Sequence, residues 1–145
     1  MNERTVSANG FEFHVHEAGD GDRLALCLHG FPELGFSWRH QLPVLADLGY
    51  RAWAPDLRGY GATRPRLKRR RDYLTPDLIA DVGALIDAAD PSETVLIGHD
   101  WGAALAWYFA IQQERPLDKL VIMNVPHPAC MQRELRTFRQ LRKSW

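Results

Sequence analysis

The sequence predicts an α/β protein built on a mostly parallel sheet. Continuous apolar runs at residues 24–28, 95–97 and 120–123 are typical of strands that are covered on both faces. Helical patterns of apolar residues lie between these runs, and such alternation is the signature of crossover connections in a parallel sheet. The composition agrees, because 145 residues with 46% hydrophobic and 25% charged side chains suit one globular unit.

The chain begins with a predicted antiparallel hairpin. Residues 3–8 and 11–16 flank Asn9-Gly10, a pair that readily adopts the positive φ angles of a tight turn. The run at 24–28 is then the first parallel strand, and residues 51–55 form the second. These strands should lie in one sheet with the runs at 95–97 and 120–123, which gives four parallel strands and an antiparallel N-terminal hairpin.

Helices are predicted between the strands, so that both faces of the sheet are covered. Residues 38–48 show helical apolar spacing and end at Gly49, with Pro43 kinking or restarting the helix. A second helix starts at Thr75-Pro76, a suitable cap and first position. Further helices are predicted over residues 103–111 and over the basic stretch 131–145, whose apolar stripe is formed by Leu135, Phe138 and Leu141.

Charge and cysteine content exclude several classes of protein. The 18 basic and 18 acidic side chains cancel, so we do not expect a nucleic-acid partner, and the run at residues 68–71 is interpreted as a solvated loop. Cys27 and Cys130 are interpreted as reduced thiols, which favours a cytoplasmic location. We expect neither secretion nor a membrane partner, because the sequence shows no cationic leader and no apolar run of membrane-spanning length.

The central motif is Gly98-x-Asp100-x-Gly102, which follows an apolar strand and precedes a predicted helix. This is the context of a nucleophile elbow, where glycines permit a strained turn and the central side chain stands above the sheet. A serine hydrolase carries serine at this position, whereas this chain carries an aspartate. Because a carboxylate is ionised at neutral pH and can attack carbon to give an ester, Asp100 is the predicted catalytic nucleophile.

A second motif, His-Gly-Phe-Pro-Glu at residues 29–33, directly follows the first parallel strand. In this architecture that loop supplies half of an oxyanion hole, so the backbone amides of Phe31 and Trp101 are the predicted donors. His29, Pro32 and Trp101 are predicted to line the substrate pocket. The Phe31–Pro32 bond is of the X-Pro type, for which the cis isomer is accessible.

Several other polar and aromatic residues are predicted to have structural roles only. Asp56 and Asp81 are predicted to be surface or capping carboxylates, and Trp38 and Trp107 to belong to the core. The segment 59–61, Gly-Tyr-Gly, is interpreted as a turn rather than a dinucleotide site, because the third glycine is absent. The sequence shows no run of His and Cys at metal-ligand spacing, so neither a metal nor a cofactor is predicted.

Four motifs in order resemble the epoxide hydrolases of the α/β-hydrolase fold. They are His-Gly-Phe-Pro-Glu at 29–33, Ser-Trp-Arg-His-Gln-Leu-Pro at 37–43, Pro-Asp-Leu-Arg-Gly-Tyr-Gly at 55–61 and Gly-His-Asp-Trp-Gly at 98–102. The resemblance implies a small-molecule epoxide substrate, which Asp100 opens to an alkyl-enzyme ester while cap-domain tyrosines protonate the epoxide oxygen. A late histidine, oriented by an acid, then activates the water that releases the diol.

The resemblance also predicts the domain organisation. Residues 1–128 would be the amino-terminal part of the hydrolase core, and residues 129–145 the start of a connection into a cap domain. Of the histidines, His127 alone follows the elbow, and it is not expected to be the base. The histidine, its acid and the cap tyrosines are therefore expected in a C-terminal half that this sequence does not contain.

Two alternatives remain open at this stage. Haloalkane and fluoroacetate dehalogenases share the aspartate elbow, but the former usually resemble His-Gly-Asn-Pro where this chain has Phe31, and the latter tend to carry arginine where it has Trp101. The other alternative is a non-catalytic remnant that associates with itself or a partner through the open edge of its sheet.

Overall fold

The computed structural model describes residues 1–136, which form a six-stranded sheet and four α-helices. The strands are β1 (Asn2–Ala8), β2 (Phe11–Ala18), β3 (Arg23–Leu28), β4 (Tyr50–Pro55), β5 (Glu93–His99) and β6 (Lys119–Met123). The helices are α1 (Gln41–Asp47), α2 (Thr75–Ala89), α3 (Trp101–Gln112) and α4 (Pro128–Leu135), with 3₁₀ turns at Gly35–Trp38 and Arg70–Tyr73.

The strand order is β1-β2-β4-β3-β5-β6. Strands β3, β4, β5 and β6 run parallel, whereas β2 is antiparallel to both β1 and β4. Asn9 and Gly10 have φ angles of 47° and 76°, so the tight turn of the hairpin uses the conformation for which this pair is suited. The predicted fold class, including the antiparallel hairpin, is confirmed.

Two apolar clusters cover opposite faces of the sheet. Along β3, Leu24, Leu26 and Leu28 pack with α2 and α3 on one face, while Ala25 and Cys27 pack with Leu42 of α1 on the other. This division follows from the two-residue period of a strand. The apolar run of β3 is continuous because helices cover both faces, as predicted.

Several helix boundaries differ from the predicted ones. The pattern at residues 38–48 is divided between the 3₁₀ turn and α1, and Pro43 lies in the first turn of α1, where a missing N–H costs little. Helix α4 begins at Pro128, because His127 caps it by accepting a hydrogen bond at Nδ1 from the amide of Ala129. Phe138 and Leu141, the rest of the predicted stripe, lie outside the described residues.

The interpretation of Asp56 and Asp81 as surface or capping carboxylates was wrong, since both are buried. Asp56 accepts hydrogen bonds from the amides of Gly35 and Ala62. Asp81 forms a bidentate ion pair with Arg58, in which both N···O distances are 2.7 Å. Buried carboxylates of this kind are held by donors from distant segments, which sequence patterns do not reveal.

The fold brings the two predicted site motifs together. Strands β3 and β5 are neighbours, with Leu28 opposite Gly98, so the loops at their carboxyl ends meet. This edge of a parallel sheet is where α/β proteins usually bind ligands. Within residues 1–136, none of the helices is both long and apolar enough to cross a membrane.

Candidate active site

Asp100 occupies a strained turn between β5 and α3. Its φ and ψ are 53° and −120°, a combination that L-residues rarely adopt. A Cβ at Gly98 would lie 2.5 Å from the Gly102 carbonyl oxygen, and one at Gly102 would lie 2.3 Å from that of Leu28. Only glycine fits at these two positions, so the motif allows the helix to pack directly against the strands and leaves Asp100 at the turn.

Backbone amides hold the Asp100 carboxylate. The amide of Phe31 donates to Oδ1 at 3.0 Å, and the amide of Trp101 also donates to this carboxylate. These two hydrogen bonds set the pKa of Asp100 below its ordinary value. The positive end of the α3 dipole lies at the same place and also favours the ionised form. Gly30 permits this approach, because a Cβ there would lie 2.5 Å from Asp100 Cβ.

His29 is buried and uses both ring nitrogens. Its Nδ1 lies 2.8 Å from the carbonyl oxygen of Gly30, so Nδ1 carries the proton and donates it. Its Nε2 accepts a hydrogen bond from the amide of Leu57 at 3.0 Å. Burial lowers the pKa of His29, so the ring is neutral near neutral pH. This histidine ties the loop after β3 to the loop after β4.

A cavity of about 280 Å³ opens beside the elbow. Its wall contains His29 and Trp101, two of the three residues predicted for the pocket, whereas Pro32 is not part of it. The other wall residues are Gly30, Leu57, Arg58, Tyr60, Tyr73, Thr75, Leu78, Asp81, Ala104, Leu105 and Tyr108. Phe31 and Trp101 expose 64% and 67% of their surfaces, so apolar side chains flank the carboxylate. The arrangement suits an apolar small molecule.

Several wall residues were not predicted from the sequence. Trp101, Ala104, Leu105 and Tyr108 follow one another at i, i+3, i+4 and i+7 of α3, so one face of the helix lines the cavity. This helical spacing after Asp100 is visible in the sequence and could have predicted these wall residues. Tyr60 packs edge-on against His29, with ring centroids 4.9 Å apart. Burial and, to a lesser degree, the charge of Asp100 raise the pKa of Tyr60.

Two further histidines lie at this edge of the sheet, His99 at the end of β5 and His127 at the start of α4. His99 precedes Asp100, and its Nε2 lies 3.0 Å from Asn124 Nδ2, which donates to it. Its Nδ1 lies 3.5 Å from Glu33 Oε2. His127 is engaged elsewhere, since it caps α4 and packs edge-on against Trp107. Trp107 is only half-buried and donates to the Val125 carbonyl, so it belongs to this loop region rather than to the core.

Comparison with known proteins places this geometry in a family. The family model described as the alpha/beta hydrolase fold matches residues 26–145. The chain belongs to this family. Its parallel sheet and the strand–turn–helix around Asp100 are thus features of an α/β hydrolase fold.

The relatives that the comparison found include several epoxide hydrolases. The chain is 44% identical over 121 residues to "Epoxide hydrolase 2" of Siraitia grosvenorii, covering 83% of this chain and 38% of that protein. It is also 44% identical over 124 residues to human "Epoxide hydrolase 4", covering 85% of this chain and 34% of that protein. The predicted resemblance to this group is confirmed.

A solved structure gives the same result. The α/β hydrolase chain superposes on an epoxide hydrolase from Vigna radiata with a TM-score of 0.81 and 44% sequence identity. The match covers 86% of this chain and 38% of the Vigna radiata chain. The chain therefore spans less than half the length of these relatives.

Proposed function

We propose that this chain supplies the nucleophilic half of an epoxide hydrolase site. The observation that carries the proposal is the Asp100 carboxylate, which stands on a strained elbow and receives the amides of Phe31 and Trp101 beside an apolar cavity. The names of the relatives favour an epoxide as the small-molecule substrate. Phe31 and Trp101 favour it over a halide-holding site, since neither side chain offers an amide or guanidinium group.

The two oxygens of Asp100 have different environments, and this assigns them different tasks. Oδ1 is held by Phe31, so we propose that Oδ2 attacks the epoxide carbon on the side opposite the ring oxygen. The new bond joins Oδ2 to carbon, the carbon–oxygen bond of the ring breaks, and the released alkoxide takes a proton from an acid. The family resemblance implies that this acid is a pair of cap tyrosines.

Release of the product requires a second step at the same carboxyl carbon. Water loses a proton to a base and attacks the ester carbonyl, and we propose that the charge that develops on Oδ1 is stabilised by the Phe31 amide, which already donates to it, with the Trp101 amide next to it. The ester C–O bond then breaks to give the diol and the free carboxylate. We propose that the base is the late histidine that the resemblance implies, and that it lies outside residues 1–145.

The partial-core organisation is part of this proposal. Residues 1–128 would form the first part of the hydrolase core and residues 129–145 the start of the connection to a cap. Among the described strands, β6 lies at the end of the sheet and has one unpaired edge. We propose that strands of a C-terminal half join there, or that in their absence the chain pairs with itself. The free thiols of Cys27 and Cys130 favour a reducing compartment such as the cytoplasm.

The proposal is tested by incubating the chain with a small aromatic epoxide and measuring the intact mass. We expect a single adduct of the mass of the epoxide, located on Asp100 by peptide mapping, and very slow release of diol. Asp100→Asn should form no adduct, whereas Asp47→Asn, an exposed matched control, should react like the parent chain. Rapid multiple turnover would contradict the placement of the base, and an adduct elsewhere would contradict the nucleophile.

The dehalogenase alternative uses the same nucleophile and is distinguished by its leaving group. A haloalkane or fluoroacetate would transfer its carbon to Asp100 and release halide, which ion chromatography detects. We expect adduct formation from the epoxide, and no halide release from the haloalkane or from fluoroacetate. The non-catalytic alternative predicts neither an adduct nor halide release, together with concentration-dependent self-association in sedimentation measurements.

A further inference from the structure

A cluster of possible metal ligands lies on the N-terminal hairpin, on residues that the proposed reaction does not use. Glu3 of β1 stands directly opposite His16 of β2, and His14 projects to the same face because it is two residues from His16. The ligand atoms of these three side chains all lie within 4.8 Å of one another. Glu3 is 62% exposed, so the cluster is open to solvent on one side.

His16 has an unexplained nitrogen. The residue exposes only 5% of its surface, and among residues 1–136 its Nδ1 has no hydrogen-bond partner. The ring is fixed by edge-on contacts with His14 and Phe36, at centroid distances of 4.8 and 5.7 Å. Nδ1 lies 3.5 Å from Glu3 Oε1, and a ligand between these atoms would satisfy both.

His14 is oriented by a buried carboxylate. Its Nδ1 lies 3.2 Å from Asp56 Oδ2, and since a carboxylate only accepts, Nδ1 carries a proton. Its Nε2 faces Glu3 Oε2 at 3.3 Å. A cation held by both of these facing acceptors, either a proton or a metal ion, would satisfy them. A carboxylate that fixes the far nitrogen of a histidine is also the usual support of a metal-bound imidazole.

We propose that Glu3, His14 and His16 form a binding site for a borderline divalent cation of the zinc class. Zinc bound tetrahedrally at about 2.1 Å needs ligand atoms about 3.4 Å apart. His14 Nε2 lies 3.3 Å from one Glu3 oxygen, and His16 Nδ1 lies 3.5 Å from the other, so each contact is close to this spacing. Because the ligand atoms all lie within 4.8 Å of one another, we expect the exposed Glu3 side chain to adjust so that one of its oxygens meets both imidazoles, and water to complete the coordination. Two imidazoles and one carboxylate select zinc over magnesium or calcium.

The proposal is tested by calorimetric titration of the chelator-treated chain with Zn²⁺, in a Cys130→Ser background that removes the exposed thiol. We expect one equivalent to bind with release of protons, and no binding of Mg²⁺. His16→Ala and Glu3→Gln should each weaken binding by about tenfold or more. The matched controls His40→Ala and Glu93→Gln, both exposed, should leave the affinity unchanged.

A second measurement identifies the nitrogen atoms that bind Zn²⁺. Long-range ¹H–¹⁵N spectra should show Zn²⁺ shifting the signals of His14 Nε2 and His16 Nδ1, while those of His29 and His99 stay in place. If His16→Ala does not fold, Glu3→Gln decides, because Glu3 is mostly exposed and its loss leaves the core intact. Absence of saturable Zn²⁺ binding, unchanged affinity in Glu3→Gln, or shifts at His99 instead would overturn the proposal.

Discussion

Two aspartates each directly follow a strand of the same sheet, and their carboxylates have different surroundings. Asp100 comes directly after β5, and Asp56 directly after β4. The Asp56 carboxylate is buried and meets three donors, the amides of Gly35 and Ala62 and the ring of His14. The Asp100 carboxylate meets two amides and remains partly exposed next to a cavity.

The difference shows what makes a carboxylate available for reaction. Asp56 is buried and both of its oxygens accept hydrogen bonds, so it ties β2 to the loops after β3 and β4 and has no oxygen free for a substrate. Asp100 receives fewer donors and is partly exposed. A carboxylate with spare acceptor capacity beside an apolar cavity can act as a nucleophile, whereas a saturated one is part of the framework.

The largest expected effect comes from removing the proposed nucleophile. Asp100→Asn should reduce adduct formation with an epoxide by about 1,000-fold or more, because an amide lacks the charge needed for attack. The free energy of unfolding should change by less than about 1 kcal/mol, since the side chain is partly exposed. Intact mass and urea denaturation measure the two quantities. Retained alkylation would show that Asp100 is not the nucleophile.

The framework aspartate should respond in the opposite way. Asp56→Ala leaves the amides of Gly35 and Ala62 without their acceptor in the interior, so the free energy of unfolding should fall by about 3 kcal/mol. Urea denaturation checks this, with the exposed Asp47→Ala as the matched control. A variant as stable as the parent would contradict the assignment of Asp56 to the framework.

The elbow can be perturbed without touching a carboxylate. Gly102→Ala places a Cβ 2.3 Å from the Leu28 carbonyl oxygen, so it should displace Asp100 and slow adduct formation by about tenfold or more. Gly83→Ala in α2 is the control. A Cβ at Gly83 would lie no closer than 3.7 Å to its nearest neighbour, and alanine favours a helix. Single-turnover mass measurements compare them, and equal rates would show that the elbow tolerates a side chain.

The smallest effect concerns pH. Because the pKa of Asp100 is lowered, this carboxylate should be more than half ionised at about pH 4, where an ordinary aspartate is half protonated. Adduct formation should therefore stay constant from neutral pH to about pH 5 and decline only in stronger acid. Rates are corrected for loss of epoxide in buffer alone. A decline centred near pH 6 or 7 would indicate a different titrating group.

Sequence reasoning reached the parts of the site that depend on short segments. The turn at Asn9-Gly10, the elbow around Asp100 and the apolar period of β3 each follow from local backbone geometry. The same reasoning missed the burial of Asp56 and Asp81. Their partners lie far away in the chain, such as His14 for Asp56 and Asn9 for Asp81, at separations of 42 and 72 residues.

The sequence by itself determined the fold class, the position of the elbow around Asp100 and the family resemblance, because these depend on residue type, period and the glycines of a tight turn. Only the tertiary structure decided which carboxylate is saturated and which is open, which tyrosines line the cavity, and that Glu3 meets His14 and His16. Those properties depend on distances between strands and loops that are remote in sequence. Packing fixes such distances, and no local pattern encodes them.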